Sequence, residues 1–229
     1  MAGPTLPKKL IIEGRTVEYR ANVLDIKLDG RDAVLKLNAS PKEFGLQRDA
    51  RAALAGGGFD NVHVPEPLAK SKSGPLMDKA RQVPGKEGQF DKFVDPDTAD
   101  YFKGHDAVAS AKLPPDCVSL KDLLSGKVQL KEKIKPADLE AATKAFEALN
   151  AKGIEHGDLT NHGNILLRQD KNGRTHIHVI DWDGAPWQDK NGKPDGLALG
   201  ENFAKLRENG HGGEGPSAAS GEAAAASKP

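Results

Sequence analysis

The 229-residue chain balances 33 basic against 33 acidic residues, and 37% of it is hydrophobic; zero net charge excludes a nucleic-acid binder that works through bulk positive charge. Cys117 is the one cysteine, which excludes an intrachain disulfide and points to a reducing compartment. No run of about 18 apolar residues is present to span a membrane, and Met1 to Lys9 lacks the apolar core of a secretory signal peptide.

Leu10-Ile11-Ile12 reads as a strand and Val17 to Leu28 as a second extended stretch. Asp32 to Leu37 is a third strand after the Asp29-Gly30 turn. Lys36 interrupts this last apolar run, and by itself it reads as an outward lysine of an edge strand. Ser40-Pro41-Lys42-Glu43 opens a helix, with Ser40 as N-cap, Pro41 at the first position and Glu43 as the capping-box acid. The helix continues through Phe44, Gln47, Arg48, Arg51 and Leu54 to the Gly56-Gly57-Gly58 stop. Residues 70–105 show little apolar periodicity and read as short strands or a long insertion. Ala107 to Leu113 is a further strand, Pro114-Pro115-Asp116-Cys117 a connector, and Ser119 to Leu124 a short capped helix. Pro136 to Lys152 is the clearest helix: Leu139, Ala142, Phe146 and Leu149 recur at helical spacing, and Gly153 ends it.

The stretch from Ile154 to Leu167 organises the rest. It contains His156-Gly157-Asp158 and ends in the apolar run Ile165 to Leu167, whose partner strand is Ile177 to Ile180. Between them lies Asn172-Gly173, the strongest short hairpin signal. A two-residue turn there places Asn164 opposite Asp181 at the open end of the hairpin. An amide oxygen beside a carboxylate is half of a Mg²⁺ site that leaves room for phosphate. Asp158, on the loop feeding the first strand, falls near the same end. Leu197 to Arg207 reads as a last helix. From Glu208 onward Gly, Ala, Ser and Pro dominate, and disorder is expected.

His156-Gly157-Asp158, then Asn164, then Asp181 resembles the catalytic and metal-binding loops of the protein kinase-like superfamily, whose pattern is His-x-Asp, an Asn, a hairpin and Asp-Phe-Gly. Here Asn164 follows Asp158 by six residues where the family has five, so Asn161 stands as the other candidate for the metal amide. The resemblance implies an α+β, two-lobed protein kinase-like fold with a strongly reduced C-lobe. It implies Asp158 as the residue that orients the acceptor hydroxyl and takes its proton, and Asn164 and Asp181 as Mg²⁺ ligands. Lys36, in Ala-Val-Leu-Lys-Leu, would meet the α- and β-phosphates of ATP. An acid on the next helix would hold Lys36; Glu43 and Asp49 both qualify, and the sequence does not choose. Gly14 is the glycine available to a phosphate loop. Asp116 and Cys117 fall at the hinge, where backbone groups would meet an adenine ring. His156 supports the loop, and His162 reads as a solvent-facing histidine.

The implied organisation is a flexible segment at 1–9, an N-lobe over 10–113, a minimal C-lobe over 114–207 and a disordered tail at 208–229. So short a C-lobe is similar to the minimal bacterial effector kinases of the OspG, NleH and HopBF type. These are injected into host cells and act on host proteins. That resemblance implies a monomeric Ser/Thr kinase using ATP and Mg²⁺, delivered to the host cytoplasm without a readable signal peptide. Its partners would be a host protein substrate and a host activator. The other readings are a small-molecule phosphotransferase and a catalytically silent nucleotide-binding module.

Overall fold

The structure is a computed structural model that describes residues 8–12, 15–19, 23–37, 39–76, 104–182 and 194–211. The fold is α+β. Strands β1 (Lys8–Ile12) and β2 (Arg15–Tyr19) form an antiparallel pair of their own. Strands β3 (Val23–Leu28) and β4 (Arg31–Leu37) join β6 (Pro67–Lys72) and β7 (Asp106–Ala111) in an antiparallel sheet of order β3-β4-β7-β6. The stretch expected as one extended segment from Val17 to Leu28 is therefore two strands in two sheets. A second sheet, of order β5-β10-β9-β8, is built from β5 (Val62–His63), β8 (Val118–Ser119), β9 (Ile165–Gln169) and β10 (Thr175–Val179). The expectations for Gly14, for most of 70–105 and for the tail from 212 lie outside the described residues.

In β4 the apolar residues alternate as a half-buried strand requires. Ala33, Leu35 and Leu37 are fully buried in the core of the first sheet with Ile26, Leu28, Ala107 and Ala109. Val34 and Lys36 therefore take the other face, toward the second sheet. Helix α1 (Glu43–Gly57) crosses between the sheets and stops at Gly58, whose φ of 72° caps it through N–H to Leu54 O. Its start differs from expectation. Ser40 and Pro41 precede the helix in a turn, and the Ser40 hydroxyl accepts from Lys42 N–H instead of capping Glu43.

The larger core lies under the second sheet. Helix α3 (Pro136–Ala151), with Pro136 at its start, buries Leu139, Ala142, Phe146 and Leu149, in agreement with their spacing. The short α2 (Leu120–Leu124), capped by Ser119, adds Leu120 and Leu123. Helix α4 (Asp195–Glu208) packs across α3 with Leu199, Phe203 and Leu206. Trp182 is fully buried in the same core, 6.0 Å from Phe146 between ring centroids. Truncating one such aromatic costs about 3–5 kcal/mol, so the residue after Asp181 is nailed to the core. Among the described residues no helix is long and apolar enough to cross a membrane.

The hairpin register departs from the two-residue turn. Strands β9 and β10 pair Ile177 with Leu167 and Val179 with Ile165. That pairing leaves three residues, Lys171, Asn172 and Gly173, in the loop. The Asp170 carboxylate accepts from the N–H groups of both Asn172 and Arg174 at 2.8 and 3.0 Å, and Gly173 N–H returns to Asp170 O. Gly173 takes the left-handed conformation at φ 70°, the pattern of a type I turn followed by a glycine bulge. A Cβ there would collide with the Glu132 carboxylate. Asn164 consequently opposes Ile180, whose N–H donates to Asn164 O at 3.0 Å. The expected pairing with Asp181 is off by one.

Candidate active site

A slip of one residue along a strand sends a side chain to the opposite face, yet Asn164 and Asp181 still line one cavity. The reason is Asp181 itself. Its φ is +68°, one of two non-glycine residues with positive φ among those described. Asp is among the side chains that tolerate this region. The left-handed residue breaks the strand after Ile180 and turns the carboxylate into the cleft, while Trp182 Nε1 donates to Val179 O at 2.9 Å and anchors the chain beyond it.

The loop from His156 to Asn164 is held from two sides. His156 is fully buried. Its Nε2 donates to Ile180 O at 2.7 Å and its Nδ1 accepts Asp158 N–H at 3.2 Å, which fixes one neutral tautomer. Burial pushes this imidazole below its ordinary value, against the raising effect of the Ile180 carbonyl and of Asp195. On the other side, the carboxylate of Asp195, at the start of α4, accepts His156 N–H at 2.5 Å and Gly157 N–H at 3.1 Å. The loop then closes with a 3₁₀ turn over His162–Asn164. That turn absorbs the extra residue before Asn164. Asn164 Nδ2 still reaches Asp158, donating to its carboxylate at 3.0 Å and to its carbonyl at 3.1 Å. Asn161 caps the turn by accepting Gly163 N–H at 3.1 Å. Asn161 is exposed, and Asn164 is the asparagine that lines the cleft.

The cleft is a cavity of about 700 Å³ between the two sheets, within the size range of small-ligand sites. Lys36, Glu43, Asn164 and Asp181 all line it, together with Cys117 and the segment Ala111 to Pro115. Lys36 Nζ lies 2.9 Å from Glu43 Oε2 and also bonds the Asp181 carboxylate. Burial pushes the Lys36 ammonium down, but Glu43 and Asp181 outweigh it, and the net shift is upward. The lysine is thus no outward residue of an edge strand.

Two of the expected site residues are placed elsewhere. Asp49 sits on the exposed face of α1, paired with Arg48 at 3.0 Å. Glu43 is the acid that meets Lys36, because it lies on the turn of α1 that faces β4. Asp116 is also outside the cleft, in an exposed pair with Arg168 at 2.9 Å. Cys117 does line the cavity, and burial, then Asp116, pushes its thiol up. His162, expected in solvent, bonds Asn202 Oδ1 on α4 at 2.9 Å. Four residues carry no signal in the sequence that marks them: Asp195, Asn202, Gln47 and Ser110. An Asp after Pro194 gives the ordinary signal of a helix start, and nothing in its spacing ties it to His156.

The donor set suits a hard cation shared with phosphate. Asp181 offers a carboxylate and Asn164 an amide oxygen. With Asn164 Nδ2 taken by Asp158, its Oδ1 is the atom a cation would meet. The constellation is similar to the one expected from the His-x-Asp, Asn and Asp pattern of the protein kinase-like superfamily. The profile of the lipopolysaccharide kinase (Kdo/WaaP) family matches residues 115–197, the stretch holding the His156–Asn164 loop and the hairpin. Among solved structures, the kinase domain of PknI from Mycobacterium tuberculosis is similar at TM-score 0.41 and 16% identity, over 83% of this chain and 69% of that one. No curated protein is significantly similar to the chain.

Proposed function

We propose that the protein transfers the γ-phosphoryl group of ATP to a hydroxyl of a protein Ser or Thr, and that it does so on a host protein after delivery from a bacterium. One observation carries the phosphotransfer: Lys36, Glu43, Asn164 and Asp181 meet in a single cleft, and Asn164 ties that cleft to Asp158. Mg²⁺ held by Asn164 and Asp181 would neutralise phosphate charge there. Lys36, kept cationic by Glu43, places the phosphates. The Asp158 carboxylate, oriented by Asn164, orients the acceptor hydroxyl and takes its proton as the new O–P bond forms and the bond to ADP breaks. Catalysis of this kind is mostly positioning and charge neutralisation.

The chain beyond the hairpin bears on the acceptor. After Trp182 the described residues form one helix, α4, which packs on α3 and not over the cleft. Among the described residues the Asp158 side is therefore open to a large acceptor, with surface supplied by the acceptor or by a host activator. A second reading has its own support: the match to the lipopolysaccharide kinase family over 115–197 favours a sugar hydroxyl.

The test is incubation with γ-labelled ATP and, in parallel, a eukaryotic lysate and a lipopolysaccharide core oligosaccharide. Asp181→Ala is the control. Label on a lysate protein supports the first reading and label on the oligosaccharide the second. Nucleotide binding with label on neither identifies a silent binding module.

A further inference from the structure

Glu43 is only 3% exposed. A buried carboxylate is costly unless both oxygens are served. Lys36 serves Oε2 at 2.9 Å. Oε1 is met one helical turn later by Gln47 Nε2 at 3.4 Å, and Gln47 is equally buried. That contact exists in only one of the two orientations of the glutamine amide, because the flipped amide would turn an oxygen against the carboxylate. The Glu43 carboxylate, which can only accept, selects that orientation. Ser110, on β7, serves the other end of the amide, donating its hydroxyl to Gln47 Oε1 at 2.8 Å. Strand β7 is the ladder partner of β4, pairing Val108 with Lys36 and Ser110 with Val34. The polar path therefore runs from Lys36 on β4 to Glu43 and Gln47 on α1, to Ser110 on β7, and back to β4 through the sheet. All four side chains line the cleft.

We propose that Gln47 and Ser110 are positioning residues that lock α1 to the sheet and hold Glu43 on Lys36. An apolar pair of the same volume would fill the space as well, but it would take the Gln47 donor from Glu43 and remove the polar link between α1 and β7. This assignment rests on the phosphotransfer reading for its kinetic consequences and not for its structural ones.

The experiment uses the full chain with Gln47→Leu, Ser110→Ala and Ser110→Thr. Ser110→Ala deletes a single oxygen and guards against a variant that fails to fold. The readout needs no turnover: the Gln47 side-chain NH₂ pair in ¹⁵N–¹H spectra, together with the affinity for a fluorescent ATP analogue. We expect the Gln47 amide signals to shift and exchange faster in Ser110→Ala. Analogue affinity should fall several-fold in Ser110→Ala and more in Gln47→Leu, and Ser110→Thr should restore both. Gln47 signals and analogue affinity that match wild type in Ser110→Ala overturn the proposal. A wild-type protein that transfers no phosphate, with the amide and affinity changes as expected, leaves the lock standing and removes the phosphotransfer reading alone.

Discussion

Two buried polar clusters lie on the two sheets and follow opposite rules. In the cleft, Lys36 sits between Glu43 and Asp181, and every charge has its opposite within contact. On the other sheet, His63, His176 and His178 gather on one face of β5 and β10. The His63 ring lies 4.7 Å from His178 and 5.1 Å from His176 between centroids, and His63 Nε2 is 2.9 Å from His176 Nδ1. Both ring nitrogens of His178 are buried without a hydrogen-bond partner. These rings stack, and among the described residues no group of three or more His, Cys, Asp and Glu is arranged to hold a metal. The first cluster survives burial by pairing charge; in the second, His63 and His178 are pushed toward the neutral form. Burial, reinforced by His176 at both rings and by His63 at His178, pushes His63 and His178 down to about 4. Arg168 and Arg51 push the same way, while Asp60 and Asp116 oppose them weakly. The lesson is that charge pairing fixes a geometry, whereas a like cluster makes stability depend on pH.

The largest break in this contrast comes from the paired cluster. Lys36→Ala and Asp181→Ala should each lower phosphotransfer by about 10²–10³-fold, the cost of removing a preorganised charge in such a site. Both should keep the far-ultraviolet circular dichroism of the parent, because neither side chain fills the apolar core. A variant with a tenth or more of parental turnover removes that residue from the site. Next comes Asp195→Asn. Its amide has one oxygen for two loop N–H groups, and turnover should fall about tenfold at unchanged ATP affinity. A kcat equal to wild type would show that α4 does not hold the loop.

The histidine side gives a smaller effect of known sign. The folded values of His63 and His178, about 4, lie below the ordinary 6.5. The unfolded chain therefore takes protons first as pH falls, and stability should drop progressively between pH 6.5 and 4. Urea unfolding over that window measures it. His178→Leu should flatten the slope and, by removing two orphaned nitrogens, add about 1 kcal/mol near pH 7. An unchanged slope would mean that other groups set the acid limit. The smallest effect is that of Asp49→Asn, which lies on the exposed face and should leave activity and Tm within error; Glu43→Gln, its counterpart for helix register, should cost about tenfold in turnover.

Much of this is legible in the sequence. Phe146 and its helical companions announce α3, and His156, Asp158, Asn164, Asp181 and Lys36 stand out by motif and strand pattern. What the sequence hides is tertiary. The hairpin departs by one residue from the turn that Asn172-Gly173 suggests, because Asp170, adjacent to the turn, captures two N–H groups and widens it. Glu43 and Asp49 both sit on α1, and only the face it turns to β4 decides between them. Asp195 and Ser110 act through partners far along the chain, and no local pattern encodes those meetings.

His156 has one further consequence. Its ring holds Ile180 O and its backbone N–H is held by Asp195. It is therefore a clasp that joins the end of the hairpin to the start of α4. Because one buried residue makes both bonds, the loop that carries Asp158 is held in register with both elements, and strain introduced at either one reaches the loop through His156.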